Sequence, residues 1–221
     1  MNKLLTTVFA FAVASVTAVS AQAEAIKGDA KAGADKNAMC IGCHGIYRYQ
    51  ASFPEVYKVP KISGQGAGYI VAALTAYKKG ERKHPTMRSI ADSLSEQDMA
   101  DLAAFYEASG KTDAAPAPKP AHEPSTAVAE LLKKGACLSC HGEGFAKPID
   151  PSYPKVAGQY ADYLFVSLKA YKDDTHQTWG RANGIMGGVA KQFSNAELKA
   201  LSKYIESLDG ELKTVPERKF R

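Results

Sequence analysis

The sequence predicts an all-α protein built from two similar halves, and three observations support this. Several segments place apolar residues at helical spacing behind a capping residue, and no segment shows the alternation typical of a β-strand. The pentapeptide Cys-x-x-Cys-His occurs twice, at residues 40–44 and 137–141. The hexapeptide Pro-Lys-Ile-Ser-Gly-Gln at residues 60–65 returns as Pro-Lys-Val-Ala-Gly-Gln at residues 154–159. Motifs that recur in the same order are typical of a duplicated domain.

Residues 1–23 have the pattern of a cleaved secretory signal. Lys3 precedes an apolar run over residues 4–19, and Ala21-Gln22-Ala23 is a small-x-small cleavage site. The run is short and rich in alanine and threonine, so an uncleaved membrane anchor is the less favoured alternative. The pattern predicts an exported, periplasmic protein.

The first domain is predicted to span residues 24–110. A helix over residues 28–39, capped by Asp29, delivers Cys40. A tyrosine-rich irregular segment over residues 46–59 follows. The remaining predicted elements are a helix over residues 69–79 ended by Gly80, a loop that holds Met87, and a helix that starts at the capping sequence Ser95-x-x-Asp98 and runs to residue 109.

The second domain, residues 125–210, repeats this order after an alanine- and proline-rich linker over residues 111–124. Thr126 is expected to cap its first helix. Met186 stands where Met87 does, and Ser194-x-x-Glu197 caps the closing helix. Residues 211–221 form a basic C-terminal tail.

The two pentapeptides predict two covalently bound haem c groups, because Cys-x-x-Cys-His is the attachment signature of c-type haem. Two thiols on one helical turn reach the two vinyl groups of one porphyrin, and the adjacent histidine binds its iron. The sequence therefore assigns haem attachment to Cys40, Cys43, Cys137 and Cys140, and iron ligation to His44 and His141. A zinc site would need further ligands, and a thioredoxin-like pair would need a βαβ context; the sequence offers neither.

The sixth iron ligands are predicted by elimination among five methionines. Met1 leaves with the signal, Met39 adjoins an attachment cysteine, and Met99 has no counterpart in the other half. Met87 and Met186 remain as the matched pair. His84 and His176 are rival ligands, but they do not align with one another.

Two sets of repeated residues are expected around the haems. The carbonyls of Pro60 and Pro154 are candidates to accept from Nδ1–H of the ligating histidines and so fix the orientation of those rings. The alternative is that these prolines only shape the loop. Four paired tyrosines are candidates to pack on haem or to bind a propionate: Tyr69 with Tyr163, and Tyr77 with Tyr171.

The formal net charge of +5 does not predict nucleic-acid binding, because two haems would bring four propionates. Five cations cluster beside Met87, namely Lys78, Lys79, Arg82, Lys83 and Arg88. They form either a patch that steers an acidic redox partner or an ordinary solvated face.

The paired haem motifs, the repeated hexapeptide, the distal methionines and the capped closing helices resemble the cytochrome c₄ type of dihaem class I cytochrome. The resemblance covers about residues 25–208. It implies two tandem class I cytochrome c domains, with the first and last helices of each crossing and the two haem edges close together. It also implies a periplasmic shuttle, soluble or peripherally associated with the membrane, that often feeds a terminal oxidase.

The predicted function is electron transfer rather than enzymatic catalysis, because His/Met ligation leaves the iron no free position for substrate. Electrons would pass from a respiratory or dehydrogenase donor to a terminal oxidase or reductase. Two alternatives remain open: a dihaem subunit of a flavin-containing sulfide dehydrogenase, and a dihaem enzyme such as a peroxidase or a thiosulfate-oxidising cytochrome.

Overall fold

The computed structural model describes residues 26–109 and 123–216. The predicted signal at residues 1–23, nearly all of the predicted linker and the last five residues of the tail lie outside these ranges. No helix within them is long and apolar enough to cross a bilayer.

The described residues form two halves with matching helices, which confirms the predicted all-α fold class. The first half contains α1 (Ala30–Lys36), α2 (Ala38–His44), α3 (Ala67–Lys79), α4 (Pro85–Asp92) and α5 (Glu96–Ser109). The second half contains α6 (Thr126–Lys134), α7 (Cys137–His141), a 3₁₀ turn (Glu143–Phe145), α8 (Ala161–Lys172), α9 (Gly184–Ala190) and α10 (Asn195–Glu206).

Most helix starts lie where the capping residues predict them. Asp29 accepts from the backbone N–H of Lys31 at 2.8 Å, and the predicted capping box at Ser194 is present. The prediction for Thr126 was wrong by one residue: Ser125 is the cap, and its hydroxyl accepts from Val128 N. Two adjacent hydroxyl residues offer the same chemistry, so the sequence alone does not separate them.

The first and last helices of the first half cross at very close range. A Cβ added to Gly33 would lie 2.1 Å from the carbonyl oxygen of Asp101, and one added to Gly28 would lie 2.1 Å from that of Ala100. Only glycine permits this approach of two backbones. The predicted single helix over residues 28–39 was wrong, because α1 ends at Lys36, α2 begins at Ala38, and Asn37 separates them.

Within residues 26–109 and 123–216, four two-residue strands pair into two small two-stranded sheets. β1 (Gln50–Ala51) pairs antiparallel with β2 (Tyr57–Lys58) inside the tyrosine-rich segment. β3 (Arg82–Lys83) pairs antiparallel with β4 (Gly180–Arg181), so this ladder connects the two halves. Strands of two residues are too short to produce an alternating pattern, which is why the sequence did not predict them.

Two further segments hold the halves together. The β1–β2 hairpin reaches the second half through ion pairs of Lys58 with Asp162 at 2.6 Å and of Glu55 with Lys169. The start of the predicted tail returns to the first half, where Lys213 N donates to the carbonyl oxygen of Ser63 at 2.9 Å. Leu212 beside it is buried. The junction is therefore held by a hairpin of the first half and by the C-terminal segment of the second.

Candidate haem sites

One continuous cavity of about 550 Å³ extends through both halves, and most of its lining is apolar. Ten of the residues assigned from the sequence line it: Cys40, Cys43, His44, Pro60, Met87, Cys137, Cys140, His141, Pro154 and Met186. The structure thus brings each predicted attachment set to the same cavity as its predicted methionine.

The two pentapeptides lie on short helices. α2 ends on His44, and α7 runs from Cys137 to His141. Residues three apart in a helix face the same side, so each cysteine pair presents both sulfurs to the cavity. Burial raises the pKa of the Cys40 and Cys137 thiols, which keeps these side chains protonated at neutral pH.

Both histidine rings are oriented by a backbone carbonyl. His44 Nδ1 lies 2.9 Å from Pro60 O, and His141 Nδ1 lies 3.0 Å from Pro154 O. A carbonyl only accepts, so Nδ1 carries the proton and donates. Burial lowers the pKa of both histidines, although the hydrogen bonds oppose this. The rings are therefore neutral at pH 7, with Nε2 available to a metal.

The two methionines lie in the first turns of helices, not in the predicted loops. His84 Nδ1 accepts from Met87 N at 3.4 Å and caps α4. Asn183 Oδ1 accepts from Met186 N at 2.9 Å and caps α9. A histidine cap on a helix of eight residues gave no strong sequence signal. The two methionines occupy matching positions, because in each helix the capping side chain accepts from the backbone N–H of the methionine.

The structure disfavours both rival histidine ligands. Both ring nitrogens of His84 are engaged, since Nε2 lies 3.0 Å from the hydroxyl of Tyr57. His176 stacks on Trp179 with ring centroids 4.5 Å apart, and it does not line the cavity.

Two arginines lie where the halves meet, Arg82 buried and Arg181 partly buried, and the sequence did not predict their role. Arg82 donates to the hydroxyls of Tyr69 at 3.0 Å and of Tyr163 at 2.7 Å. Arg181 donates to Tyr163 at 3.2 Å and to Ser167 at 2.8 Å. Each arginine stands five residues before the repeated methionine of its half, and this matched position could have revealed the pair.

The predicted basic patch beside Met87 is therefore not a single surface. Arg82 is 8% exposed and lines the cavity. Lys78 donates to Leu94 O, Lys83 donates to Asp174 O and His176 O, and Arg88 lies 3.7 Å from the carboxylate of Asp92. Most of these cations are therefore already engaged by hydrogen bonds or ion pairs within the protein.

The arginines provide a test of whether haem fits this cavity. Within the described ranges neither Arg82 nor Arg181 has a carboxylate at salt-bridge distance, and the buried Nε of Arg82 has no hydrogen-bond partner. Burial opposes ionisation of Tyr163, but the two guanidinium charges outweigh it and lower its pKa to about 7. A buried or partly buried guanidinium without a counter-ion is costly. The propionates of haem c are the anions that these residues fit.

Comparison with known proteins decides the family. The family model for cytochrome c matches residues 125–209. A cytochrome c4 from Azotobacter vinelandii is 31% identical over 198 residues, which cover 82% of this chain and 90% of that protein. The chain belongs to the cytochrome c4 family. The predicted resemblance is confirmed, and the protein is a dihaem electron-transfer cytochrome with two covalently bound haem c groups.

Two further relatives agree with the cytochrome c4 assignment. The crystal structure of reduced recombinant cytochrome c4 from Pseudomonas stutzeri superposes with a TM-score of 0.59 at 28% identity, covering 82% of this chain and all of that one. A protein named thiosulfate dehydrogenase electron acceptor, from Stutzerimonas stutzeri, is 32% identical over 86% of this chain and 90% of its own length.

Proposed function

We propose that each half holds one haem c through its own cysteine pair, with the iron between a histidine and a methionine. Cys40, Cys43, His44 and Met87 serve the first half. Cys137, Cys140, His141 and Met186 serve the second. The observation that carries this proposal is the single cavity that both sets line. When bound, haem c supplies an iron that takes up and releases one electron.

The side chains around these sites favour electron transfer over bond-breaking chemistry. His44 and His141 are held by backbone carbonyls, and Met87 and Met186 by capped first turns. If these four residues bind the irons, two to each, neither iron would have a position open to substrate. A thioether ligand also favours ferrous iron and so raises the reduction potential.

The continuity of the cavity supports electron transfer between the two haems. Residues from both halves line it, and Arg82 and Tyr163 meet across the junction at 2.7 Å. Two haems in one cavity would have their edges close together. An electron that enters the haem of one half could then leave from the haem of the other.

The proposed role is a periplasmic shuttle from a respiratory or dehydrogenase donor to a terminal oxidase or reductase. The relative named thiosulfate dehydrogenase electron acceptor supports a dehydrogenase as donor. The signal-like residues 1–23 support export. An exported protein would begin after residue 23, which the intact mass of the mature protein measures.

The function is tested with the purified oxidised holoprotein, thiosulfate dehydrogenase and thiosulfate. We expect reduction only when enzyme and substrate are both present, and reoxidation on addition of membranes that contain a terminal oxidase. Reduction by thiosulfate alone, or turnover of hydrogen peroxide by the isolated protein, would instead indicate an enzyme. Co-purification with a flavoprotein that persists at high salt would indicate a subunit of a sulfide dehydrogenase.

A further inference from the structure

The repeated hexapeptide pairs with itself across the junction of the two halves. Gln159 Nε2 donates to the carbonyl oxygen of Lys61 at 2.9 Å, and its Oε1 accepts from Lys61 N at 3.0 Å. Gln65 makes the reciprocal pair with Lys155, at 2.9 Å for each bond. Each glutamine thus closes a ring of two hydrogen bonds on the backbone of the opposite half.

These amides have a fixed orientation and are shielded from water. A backbone N–H only donates and a carbonyl only accepts, so each ring allows one assignment of Oε1 and Nε2. Gln65 and Gln159 are both 4% exposed. Each Oε1 also accepts from the next backbone N–H of its own chain, at 3.0 Å from Gly66 and 3.1 Å from Tyr160.

One peptide group is hydrogen-bonded to both the glutamine and the histidine. Pro60 O accepts from His44 Nδ1, and the N–H of that peptide bond, on Lys61, donates to Gln159 Oε1. Carbonyl and N–H point in opposite directions across a trans peptide bond. One rigid amide therefore connects the histidine of the first half to a glutamine of the second.

The second half contains the mirror arrangement. His141 Nδ1 donates to Pro154 O, and the N–H of the same peptide bond, on Lys155, donates to Gln65 Oε1. Two series of hydrogen bonds therefore cross the junction, and each runs from a histidine of one half through a peptide group to a glutamine of the other half.

We propose that each glutamine tunes the haem of the opposite half: Gln159 acts on the first and Gln65 on the second. The inference rests on the proposed ligation by His44 and His141. Gln65 and Gln159 are positioning residues, because each acts through a peptide bond and a histidine.

The direction of the effect follows from polarisation along the chain. An acceptor on Lys61 N–H makes Pro60 O more negative, since hydrogen bonds in series strengthen one another by about 10–30%. A stronger bond to Nδ1–H makes the imidazole a better donor to iron and favours the ferric state. Loss of the glutamine therefore raises the potential of the opposite haem.

The test measures both reduction potentials in Gln159→Leu and Gln65→Leu holoproteins, with the haem methyl NMR signals assigned to each half. In Gln159→Leu we expect the ferrous-to-ferric ratio of the first haem, at a fixed potential, to rise about twofold to threefold. That is about 18–28 mV at about 59 mV per tenfold. The second haem should shift by less than half as much. Gln65→Leu should show the reverse pattern.

The two variants are matched controls, because both remove one interface ring of the same size. If both haems shift together in both variants, loosening of the junction explains the effect and the proposal is overturned. It is also overturned if each glutamine moves the haem of its own half.

A second variant keeps the side-chain length and the bond from Lys61 N–H, although its carboxylate cannot donate to Lys61 O, should the leucine variants fail to mature. Gln159→Glu keeps an acceptor for Lys61 N–H and strengthens it, so it should lower the potential of the first haem more than that of the second. An equal shift of both haems would contradict the proposal. Absence of low-spin His/Met spectra in the unaltered protein would instead refute the proposed function, so the two failures are distinguishable.

Discussion

Each proposed iron ligand is held by one local hydrogen bond. The sequence predicted the bonds of His44 and His141 to Pro60 O and Pro154 O, which the structure shows. Met87 and Met186 were predicted from their matched positions, but their helical caps His84 and Asn183 were not predicted. The sequence placed Arg82 in a basic patch, because an arginine among lysines has the composition of a solvated surface, and it did not single out Arg181. Only the fold shows that Arg82 is buried beside Tyr163.

Replacement of one methionine should affect one haem. In Met87→Ala the first iron loses its thioether, so its far-red charge-transfer band should disappear and its potential should fall. The fall should be a sizeable part of the about 0.8 V that axial ligands span. Met186→Ala should do the same to the second haem. Met99→Leu, in the buried core, is the control and should leave both bands unchanged.

Removal of the buried guanidinium should lower the reduction potentials. A unit charge about 10 Å from an iron, at an effective dielectric constant of about 20, contributes on the order of 1.5 kcal/mol, or about tenfold in the ferrous-to-ferric ratio. Arg82→Met should therefore have a clear effect in a redox titration. Lys79→Met removes the same charge from an exposed position and should change the ratio much less. Equal effects would show that the buried arginine does not face the haems.

At the scale of elements, the caps and the apolar spacing predicted most helices, and backbone contacts decided the rest. The break at Asn37 and the strands β1–β4 depend on long-range pairing, which leaves no periodic signal. The α1–α5 crossing also depends on long-range contacts, namely those of Gly28, Gly33 and the carboxylate of Asp101.

The α1–α5 crossing should become weaker in acid. Asp101 accepts from Asp29 N at 2.8 Å and from Lys36 Nζ at 2.7 Å. These bonds, chiefly that from Lys36, lower its pKa from 3.8 to about 2. A lowered carboxyl pKa contributes stability above about pH 4 that is lost as the pH falls toward 2.

Thermal unfolding from pH 6 to pH 2 measures this contribution in the Asp101→Asn holoprotein. The variant should have a lower Tm at neutral pH and a smaller decrease in acid. Asp92→Asn, at a half-exposed ion pair, is the control and should retain the full decrease. An unchanged acid dependence in Asp101→Asn would refute the assignment.

For the whole molecule, the sequence predicted that the domain is duplicated but did not predict which residues join the two halves. Each half repeats the same motifs, so the order of elements could be read directly. The repeated hexapeptide looked like a loop of each half, and only the structure pairs Gln65 and Gln159 with the opposite copy. The tail looked like an appended basic segment, yet Leu212 is buried and Lys213 forms an antiparallel β-bridge with Ser63 of the first half.

Deletion of residues 211–221 should weaken the contacts between the two halves and so lower the free energy of unfolding. It removes the ion pair of Glu211 with Lys155 at 2.5 Å, the backbone bond from Lys213 to Ser63, and the buried side chain of Leu212. Burial of one leucine contributes about 1.5–3 kcal/mol, so the free energy of unfolding should fall by at least about 2 kcal/mol. Val215→Ala, at an exposed position of the same segment, is the control and should unfold like the unaltered chain in a denaturant titration.

We propose that two irons lie in one cavity, each between a histidine and a methionine. An anaerobic reductive titration of the holoprotein, followed by absorption from the Soret band to the far red, counts the haems and reports their ligands. We expect low-spin haem throughout, uptake of two electrons per chain, and a far-red thioether band that both irons lose on reduction. A high-spin haem in the oxidised protein, or uptake of a single electron, would refute the proposed ligation.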